Sequence, residues 1–182
     1  GAPTGGNQRG INGGAFFFTV ATYKRRPLFA EEWAADALRD SFKRVMLSYP
    51  FEIDSIVILP DHLHCIWILP DGDSDFSLKW RLIKSRFTRF GPVTSAEAVS
   101  DSRLKKKEKG VWQRRFWEHM IRDEVDLNQH RDYIHYNPVK RGLAASPNEW
   151  KHSSFKRFAA KGLYTEDWGK NPHEELLDMD LE

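Results

Sequence analysis

Two histidines, His62 and His64, are separated by one leucine in an apolar stretch that is typical of a β-strand. Because side chains at positions i and i+2 of a strand point to the same face, the two imidazoles should project side by side. Two neighbouring ring nitrogens supply half of a metal site. Taken alone, however, the triplet favours an ordinary pair of partly buried histidines.

A tyrosine and an asparagine, Tyr133 and Asn137, lie four residues apart in a segment with helical character. On a helix this spacing places both side chains on one face, so an amide oxygen could complete a metal site while the phenol lies beside the ion. A core tyrosine and a helix C-cap before Pro138 are the favoured explanations of the two residues in isolation. Tyr136 is a rival nucleophile, and His135 projects to a different face, where we expect a structural role or a phosphate contact.

Basic residues are concentrated in one part of the chain. Residues 77–115 contain twelve Lys or Arg and three acids, which gives this segment a charge of +9. Since the whole chain carries +2, the remaining residues carry −7. Such a block indicates a local site for a polyanion, although a solvated helix face next to a polar loop explains the charge equally well.

The pattern of apolar residues predicts the elements that must position these side chains. A β-α-β-β-α-β-α order is typical of an α+β, ferredoxin-like fold, with an antiparallel sheet, an added helix that carries Tyr133 and a C-terminal extension. The predicted strands cover residues 15–23, 51–59, 63–69 and 111–121, and the predicted helices cover 30–49, 77–90 and 123–136.

Length and composition predict one domain with flexible ends. The 182 residues suit a single core. We expect a glycine-rich flexible arm at 1–14, a catalytic domain at 15–160, a mobile lysine-rich loop at 91–110 and an acidic C-terminal tail at 161–182. The single cysteine, Cys65, excludes an intrachain disulfide, and we find no apolar run long enough to span a bilayer. We therefore expect a cytoplasmic protein that does not act at a membrane.

Several strings of the sequence occur together in one known family. They are GGAFFFTV, ILPDHLHCIWILP, LIKSRFTR, VWQRRFWEHMIRDEVDL, DYIHYNPVKRGL and EWKHSSFKRF. In this order, and over residues 13–168, the chain resembles the REP-associated tyrosine transposases, a branch of the single-tyrosine HUH endonuclease superfamily. The resemblance implies that His62, His64 and Asn137 are metal ligands and that Tyr133 is the nucleophile.

The resemblance also implies the partners. It suggests a monomer, associated with the nucleoid, that acts on single-stranded DNA next to hairpins of repetitive extragenic palindromes. The arm GAPTGGNQRGINGG departs from the basic segment with a Pro-Gly turn that we expect in relatives, so a DNA contact by this arm is in doubt. The residues that we expect to bind the DNA backbone or stack on its bases are Lys84, Arg86, Arg114, Arg115 and Trp112, with Trp117 as a second stacking candidate.

The residue types agree with a phosphotyrosine mechanism. A free tyrosine has a pKa of about 10 and needs an electrophilic phosphorus before it can attack. A divalent ion provides this, and a site of two imidazoles and one amide should bind Mn²⁺ at least as readily as Mg²⁺, with Mg²⁺ favoured in cells by its abundance. Attack by Tyr133 would leave a 5′-phosphotyrosine and a free 3′ hydroxyl.

Two other functions remain open at this point. Ferredoxin-like sheets with exposed aromatic residues also serve as non-catalytic nucleic-acid platforms, without any need for a metal. A small phosphodiesterase could use the His62–His64 pair to activate water. Only the strand transferase requires the Tyr133 hydroxyl, so the substitution Tyr133→Phe separates it from both alternatives.

Overall fold

Four strands form one sheet in the computed structural model, which describes residues 13–91, 106, 110–169 and 174–182. The strands are β1 (Ala15–Ala21), β2 (Glu52–Ile58), β3 (His62–Ile68) and β4 (Trp117–Met120). They lie in the order β2-β3-β1-β4, and each neighbouring pair is antiparallel. This is the ferredoxin-like arrangement that the sequence predicts.

Helices cover both faces of the sheet. The helices of the described residues are α1 (Glu32–Ser48), α2 (Phe76–Phe90), α3 (Glu124–Lys140), α4 (Phe155–Ala160) and α5 (Glu174–Asp178). Apolar residues of α1 and α2 pack on one face, and those of α3 pack on the other. No helix in these described ranges is long and apolar enough to cross a membrane.

The central strands β1 and β3 are apolar on both faces because both faces are covered. All seven residues of β1 are buried, and its register pairs Phe17 with Ile66 and Thr19 with His64. The alternation sends Phe18 toward α1 and α2, and sends Phe17 toward α3. The two sides of β3 therefore enter different cores, and His62 and His64 share the α3 side with Ile66.

Large aromatic residues fill the core between the sheet and the first two helices. The indoles of Trp67 on β3 and Trp80 on α2 stack with ring centroids 4.4 Å apart, and both residues are buried. Phe18 meets the two indoles edge to face. Aromatic pairs in such offset and edge-to-face arrangements add to the stabilisation from buried area alone, so this core provides a rigid platform for the sheet.

Two predicted elements differ from the structure. The strand predicted at 111–121 forms only at Trp117–Met120. Trp112 makes a single isolated bridge to Thr22, and its side chain enters the core, so the sheet pairing does not continue from there. The helix predicted to end before Pro138 continues to Lys140. Pro138 removes one hydrogen bond, that to the carbonyl four residues earlier, which is a small loss in the last turn of the helix. The chain then turns at Gly142, which has a φ of 74°.

Other expectations fall where little or nothing is described. The predicted flexible arm lies outside the described residues except for Gly13 and Gly14, and most of the predicted loop at 91–110 lies outside them too. Part of the predicted acidic tail is described at 174–182, where Leu176 packs in the core below α3. We call these nine residues the 174–182 segment.

Candidate active site

His62 and His64 lie side by side at the start of β3. Both side chains are fully buried on the sheet face that α3 covers. Their Nε2 atoms are 3.2 Å apart, so the two nitrogens point into one small volume. The alternation of side chains along the strand accounts for this arrangement, as the sequence predicts.

Neighbouring residues hold the other nitrogen of each imidazole. His62 Nδ1 lies 2.6 Å from Asp61 Oδ1, and His64 Nδ1 lies 2.8 Å from Thr19 Oγ1. Since the Thr19 hydroxyl donates its proton to the Leu181 carbonyl, it accepts from His64 Nδ1. Hydrogen bonds of this kind set the tautomer of metal-binding histidines and leave Nε2 as the ligand atom. Burial also lowers the pKa of His64 to about 4, so this imidazole is neutral at pH 7.

Helix α3 brings Tyr133 and Asn137 to the same place. Asp123 caps the helix by accepting a hydrogen bond from the Asp126 amide, which fixes where the helical repeat begins. The Tyr133 ring is fully buried, with its centroid 5.3 Å from that of His64. Asn137, one turn later, is also fully buried, and its Oδ1 atom has no hydrogen-bond partner among the described residues.

The carboxylate of Glu182 reaches into this cluster. Its Oε1 atom lies 2.9 Å from the Tyr133 hydroxyl, 3.0 Å from Asn137 Nδ2 and 3.2 Å from His64 Nε2. Its Oε2 atom lies 2.5 Å from His62 Nε2. The four side chains singled out from the sequence therefore all converge on one oxyanion, which occupies the volume between them.

The surroundings of the carboxylate shift the pKa of Glu182 and that of Tyr133 in opposite directions. Although burial raises the pKa of Glu182, the hydrogen bond from His62 is the main contact that holds this pKa well below its usual range. Arg141 forms an ion pair with the same carboxylate. Burial and the nearby Glu182 charge raise the pKa of Tyr133 far above that of a free phenol. With the 174–182 segment in place, the phenol is a hydrogen-bond donor and not a nucleophile.

Sequence reasoning overlooked three residues that support the cluster. Thr19 and Asp61 orient the imidazoles, and Arg141 binds the oxyanion. Arg141 follows Asn137 by four residues, so the helical spacing that joins Tyr133 to Asn137 could have revealed it. Thr19 lies 45 residues before His64, and only the β1–β3 register brings the two together.

The neighbouring residues of the tyrosine motif point elsewhere. Tyr136 packs against the ring of Trp168, with centroids 6.3 Å apart. His135 is buried between Tyr164 and Ser154, whose hydroxyl oxygens lie 2.7 Å from its two ring nitrogens. Burial lowers the pKa of His135 to about 3. The interactions of His135 are therefore those of a structural residue.

Two of the basic residues that the sequence predicts as DNA contacts lie on the sheet face opposite Tyr133. Lys84 and Arg86 lie on α2, across the sheet from α3, and Arg114 and Arg115 are exposed just before β4. Trp112 is 3% exposed and packs on Phe29 and Phe87.

Burial of Trp112 corrects the expectation that it stacks on DNA bases. Its ring faces are already occupied by core side chains, which leaves no surface for a base. Trp117 on β4 is 52% exposed and is the stacking candidate that remains. Lys79 belongs to the basic segment but is buried and bonded to Asp73 at 2.6 Å, so its charge is neutralised within the fold.

A groove between α1 and α2 gathers part of the basic segment. It has a volume of about 300 Å³, and its lining includes three arginines and no acidic side chain. The arginines are Arg44, Arg86 and Arg89, and Ser48, Ser85 and Tyr49 add hydroxyl groups. Arg86 also lies over the ring of Phe90, with 4.9 Å between the guanidinium carbon and the ring centroid. The groove therefore offers fixed positive charge on the face opposite Tyr133.

The donor set at the His62–His64 pair fits a divalent ion. Both imidazoles present Nε2 to the same volume, each with its Nδ1 held by an oxygen. The buried and unpartnered Oδ1 of Asn137 is the kind of atom that a cation would satisfy. Two nitrogens and an amide oxygen could hold a divalent ion that takes further ligands from substrate or water.

Comparisons with known proteins agree on one family. No protein-family model matches the chain. An Escherichia coli K12 protein named REP-associated tyrosine transposase is 43% identical over 159 residues, covering 87% of this chain and 86% of that protein. A Haemophilus influenzae protein assigned to the same family is 41% identical over 160 residues, with coverage of 88% and 90%. A solved REP-associated tyrosine transposase bound to a REP hairpin has a TM-score of 0.75 at 40% identity, covering 94% of this chain and 92% of that chain.

Proposed function

The chain belongs to the REP-associated tyrosine transposases, and from this membership we propose that it cuts and rejoins single-stranded DNA beside hairpins, with Tyr133 as nucleophile. One observation carries the proposal. An oxyanion, the Glu182 carboxylate, is held within 3.2 Å of the Tyr133 hydroxyl, His64 and Asn137. We infer that the carboxylate stands in for oxygens of the scissile phosphate, which would meet the same groups.

His62, His64 and Asn137 would hold a divalent ion at this place, Mn²⁺ or Mg²⁺. When bound, such an ion would polarise a phosphate oxygen and orient the scissile group. The chain's own contribution is to present the two Nε2 atoms and the Asn137 oxygen toward one volume between β3 and α3. Asp61 and Thr19 keep the imidazoles oriented.

Tyr133 would attack a phosphate in that volume. A new bond forms between the phenol oxygen and phosphorus, and the bond from phosphorus to the 3′ oxygen breaks. The phenol loses its proton in this step, and the released 3′ oxygen gains one to become a hydroxyl. Arg141 reaches the same oxyanion and would offset negative charge on the phosphate. The reverse reaction, with a different 3′ hydroxyl, joins new strands without a nucleotide cofactor.

Substrate binding requires the 174–182 segment to move. Glu182 occupies the oxyanion position, the Leu181 amide donates to the Tyr133 oxygen at 3.0 Å, and Thr19 bonds to the Leu181 carbonyl. A phosphate cannot share this volume with a carboxylate of the same charge. The segment therefore competes with DNA for the site, and its contacts lower the activity of the chain.

We place the duplex stem of the hairpin on the arginine groove between α1 and α2. The three arginines of the lining suit a phosphodiester backbone, and Arg44 would exchange its 3.8 Å contact with Asp40 for a phosphate. The groove lies across the sheet from Tyr133, so the single strand that leaves the stem would pass around a sheet edge to reach the nucleophile. The exposed Trp117 on the edge strand β4 is suited to stack on a base along that path.

The candidate site is complete within one chain, which supports action as a monomer. His62 and His64 come from β3, and Tyr133 comes from α3 of the same chain. The test of the function is incubation with a hairpin oligonucleotide that carries a single-stranded flank, in Mn²⁺, followed by denaturing electrophoresis. A covalent protein–DNA product supports the proposal, whereas free 5′-phosphate ends without adduct would indicate a hydrolase that uses water.

A further inference from the structure

A second cluster of metal-binding side chains lies between β4 and the first turns of α3. His119 Nε2 is 2.8 Å from Asp126 Oδ2, and His130 Nδ1 is 3.2 Å from Asp126 Oδ1. The two imidazole rings stack, with centroids 4.6 Å apart. One ligand atom from each of the three residues lies within 4.8 Å of the other two.

Local structure explains why these residues meet. Asp126 and His130 are four residues apart on α3 and so share one face of the helix. His119 is on β4, and the link from β4 to α3 is short enough to turn the strand back onto that face. No residue of the first site belongs to the cluster.

Burial favours a specific site over a chance surface group. Asp126 and His130 are buried, whereas the His119 side chain is 26% exposed. Two ligands are therefore fixed by the fold, and the third lies at an opening through which an ion could enter. These buried groups now partner one another, and coordination to a metal ion would replace those contacts.

The spacing matches the needs of a small transition ion. Zinc binds imidazole nitrogen and carboxylate oxygen at about 2.0–2.2 Å, which places tetrahedral ligands roughly 3.3 Å apart. His119 and His130 lie 2.8 and 3.2 Å from the two different Asp126 oxygens, which is close to this separation. The three ligand atoms lie within 4.8 Å of one another, so the side chains would draw together around an ion. Two histidines and one carboxylate also leave a coordination position for water.

We propose that His119, Asp126 and His130 form a second divalent-metal site, separate from the His62–His64 pair and suited to Zn²⁺. The ion would tie the edge strand β4 to the helix that carries Tyr133. The connection to the first site runs through Phe17, whose ring lies 4.9 Å from that of His130 and 5.5 Å from that of His64. A bound ion would thus stiffen the wall beside Tyr133.

Three existing interactions must change when the ion binds. Coordination of His119 Nε2 and Asp126 Oδ2 would replace the 2.8 Å hydrogen bond between them. His130 Nδ1 donates to the Asp126 carbonyl at 2.8 Å, and coordination through this atom would replace that hydrogen bond and move the ring proton to Nε2. The Arg122 guanidinium is 3.5 Å from Asp126 Oδ2, but it is 74% exposed and can turn into solvent.

Metal binding to tag-free protein tests this proposal without reference to cleavage. The variant His62→Ala/His64→Ala removes the first pair, and Zn²⁺ is then titrated by calorimetry and Co²⁺ by visible absorption. We expect one ion per chain, a rise in Tm with added Zn²⁺, and at least a tenfold loss of affinity when His119→Ala is added. Because His119 lies on an edge strand and is partly exposed, its replacement should leave the fold intact.

Two further variants decide between an ion site and a hydrogen-bond network. Asp126→Asn keeps an acceptor for the Arg122 amide but removes the charge, so it should also weaken Zn²⁺ binding. His152→Ala is the matched control, since His152 is a buried histidine that contacts Glu32 outside both clusters. The proposal fails if the double variant binds no Zn²⁺, if His119→Ala leaves the affinity unchanged, or if His152→Ala lowers it equally.

Discussion

The hydroxyl of Tyr133 donates a 2.9 Å hydrogen bond to Oε1 of Glu182, a residue 49 positions later in the chain. This contact ties the proposed nucleophile to the only carboxylate that reaches His62, His64 and Asn137 within the described residues. The site thus holds an oxyanion, and under the proposed function the segment that carries it would have to leave before DNA binds.

Removing this carboxylate should therefore activate the chain. Glu182→Ala eliminates several charge-assisted hydrogen bonds that hold the 174–182 segment, each of which is stronger than a neutral one. We expect the rate of single-strand cleavage to rise by about tenfold or more. This corresponds to roughly 1.4 kcal/mol of free energy by which the bound segment disfavours cleavage. Cleavage of a hairpin oligonucleotide, measured by gel, checks this.

Asp178→Ala is the control for the loss of one negative charge. Asp178 is an exposed residue of the same segment, at the end of α5 and four residues before Glu182. Its replacement should leave the rate close to that of the unmodified chain. An unchanged or lower rate in Glu182→Ala would contradict the competitive role of the segment.

The histidine pair should be required for cleavage and not for DNA binding. His62→Ala or His64→Ala removes a proposed metal ligand. Replacing a residue that only hydrogen-bonds to a ligand lowers activity by roughly 10- to 100-fold, so we expect the cleavage rate to fall by more than this. Hairpin affinity should stay nearly constant, because the arginine groove lies on the other face of the sheet. Asn137→Ala should be milder, since water can replace a neutral amide ligand.

Chelation provides the complementary measurement. Cleavage should stop in excess chelator and return when Mn²⁺ is added back. Equal cleavage rates in chelator and in Mn²⁺ would show that cleavage does not depend on a metal. If His64→Ala loses cleavage and hairpin binding to the same extent, the variant is misfolded and does not report on a lost ligand.

Arg86 should contribute to hairpin affinity and to its dependence on salt. Each phosphate contact adds about one unit to the slope of log affinity against log salt, so Arg86→Ala should lower that slope by about one. The control is Lys161→Ala, which removes an exposed positive charge after α4, away from the groove. An identical slope in Arg86→Ala and the unmodified chain would argue against the groove as the stem site.

His135 should make the fold sensitive to acid. Burial, followed by the charges of Arg157 and Arg131, lowers its pKa to about 3 from 6.5. The unfolded chain therefore binds the extra proton first, and stability is lost as the pH falls from about 6.5 toward 3. From this group alone we expect a free energy of unfolding about 2 kcal/mol lower at pH 5 than at pH 7.

Urea unfolding at several pH values measures this effect. His135→Gln cannot titrate, so its stability should fall less steeply between pH 7 and pH 5, even if it is less stable at every pH. The slope should decrease without vanishing, because burial also lowers the pKa of His64 and His130. A slope identical to that of the unmodified chain would show that His135 is not the buried group responsible.

Local periodicity predicted most of what brings the site together. The strand alternation gave the shared face of His62 and His64, and the helical repeat gave that of Tyr133 and Asn137. Glu182 could not be predicted, because no local pattern reports a contact between residues 118 positions apart. The prediction that Trp112 stacks on DNA bases is wrong for a related reason. An aromatic residue in a basic segment looks the same in the sequence whether its side chain enters the core or faces solvent.

The central claim is that Tyr133 becomes covalently joined to the 5′ phosphate of cleaved DNA. The most direct measurement is adduct formation in the Glu182→Ala background, with labelled single-stranded hairpin DNA and Mn²⁺, compared among that variant, Tyr133→Phe and Tyr136→Phe. We predict an adduct in the parent and in Tyr136→Phe, none in Tyr133→Phe, and similar hairpin binding in all three. An adduct that persists in Tyr133→Phe, or that disappears only in Tyr136→Phe, would contradict the account.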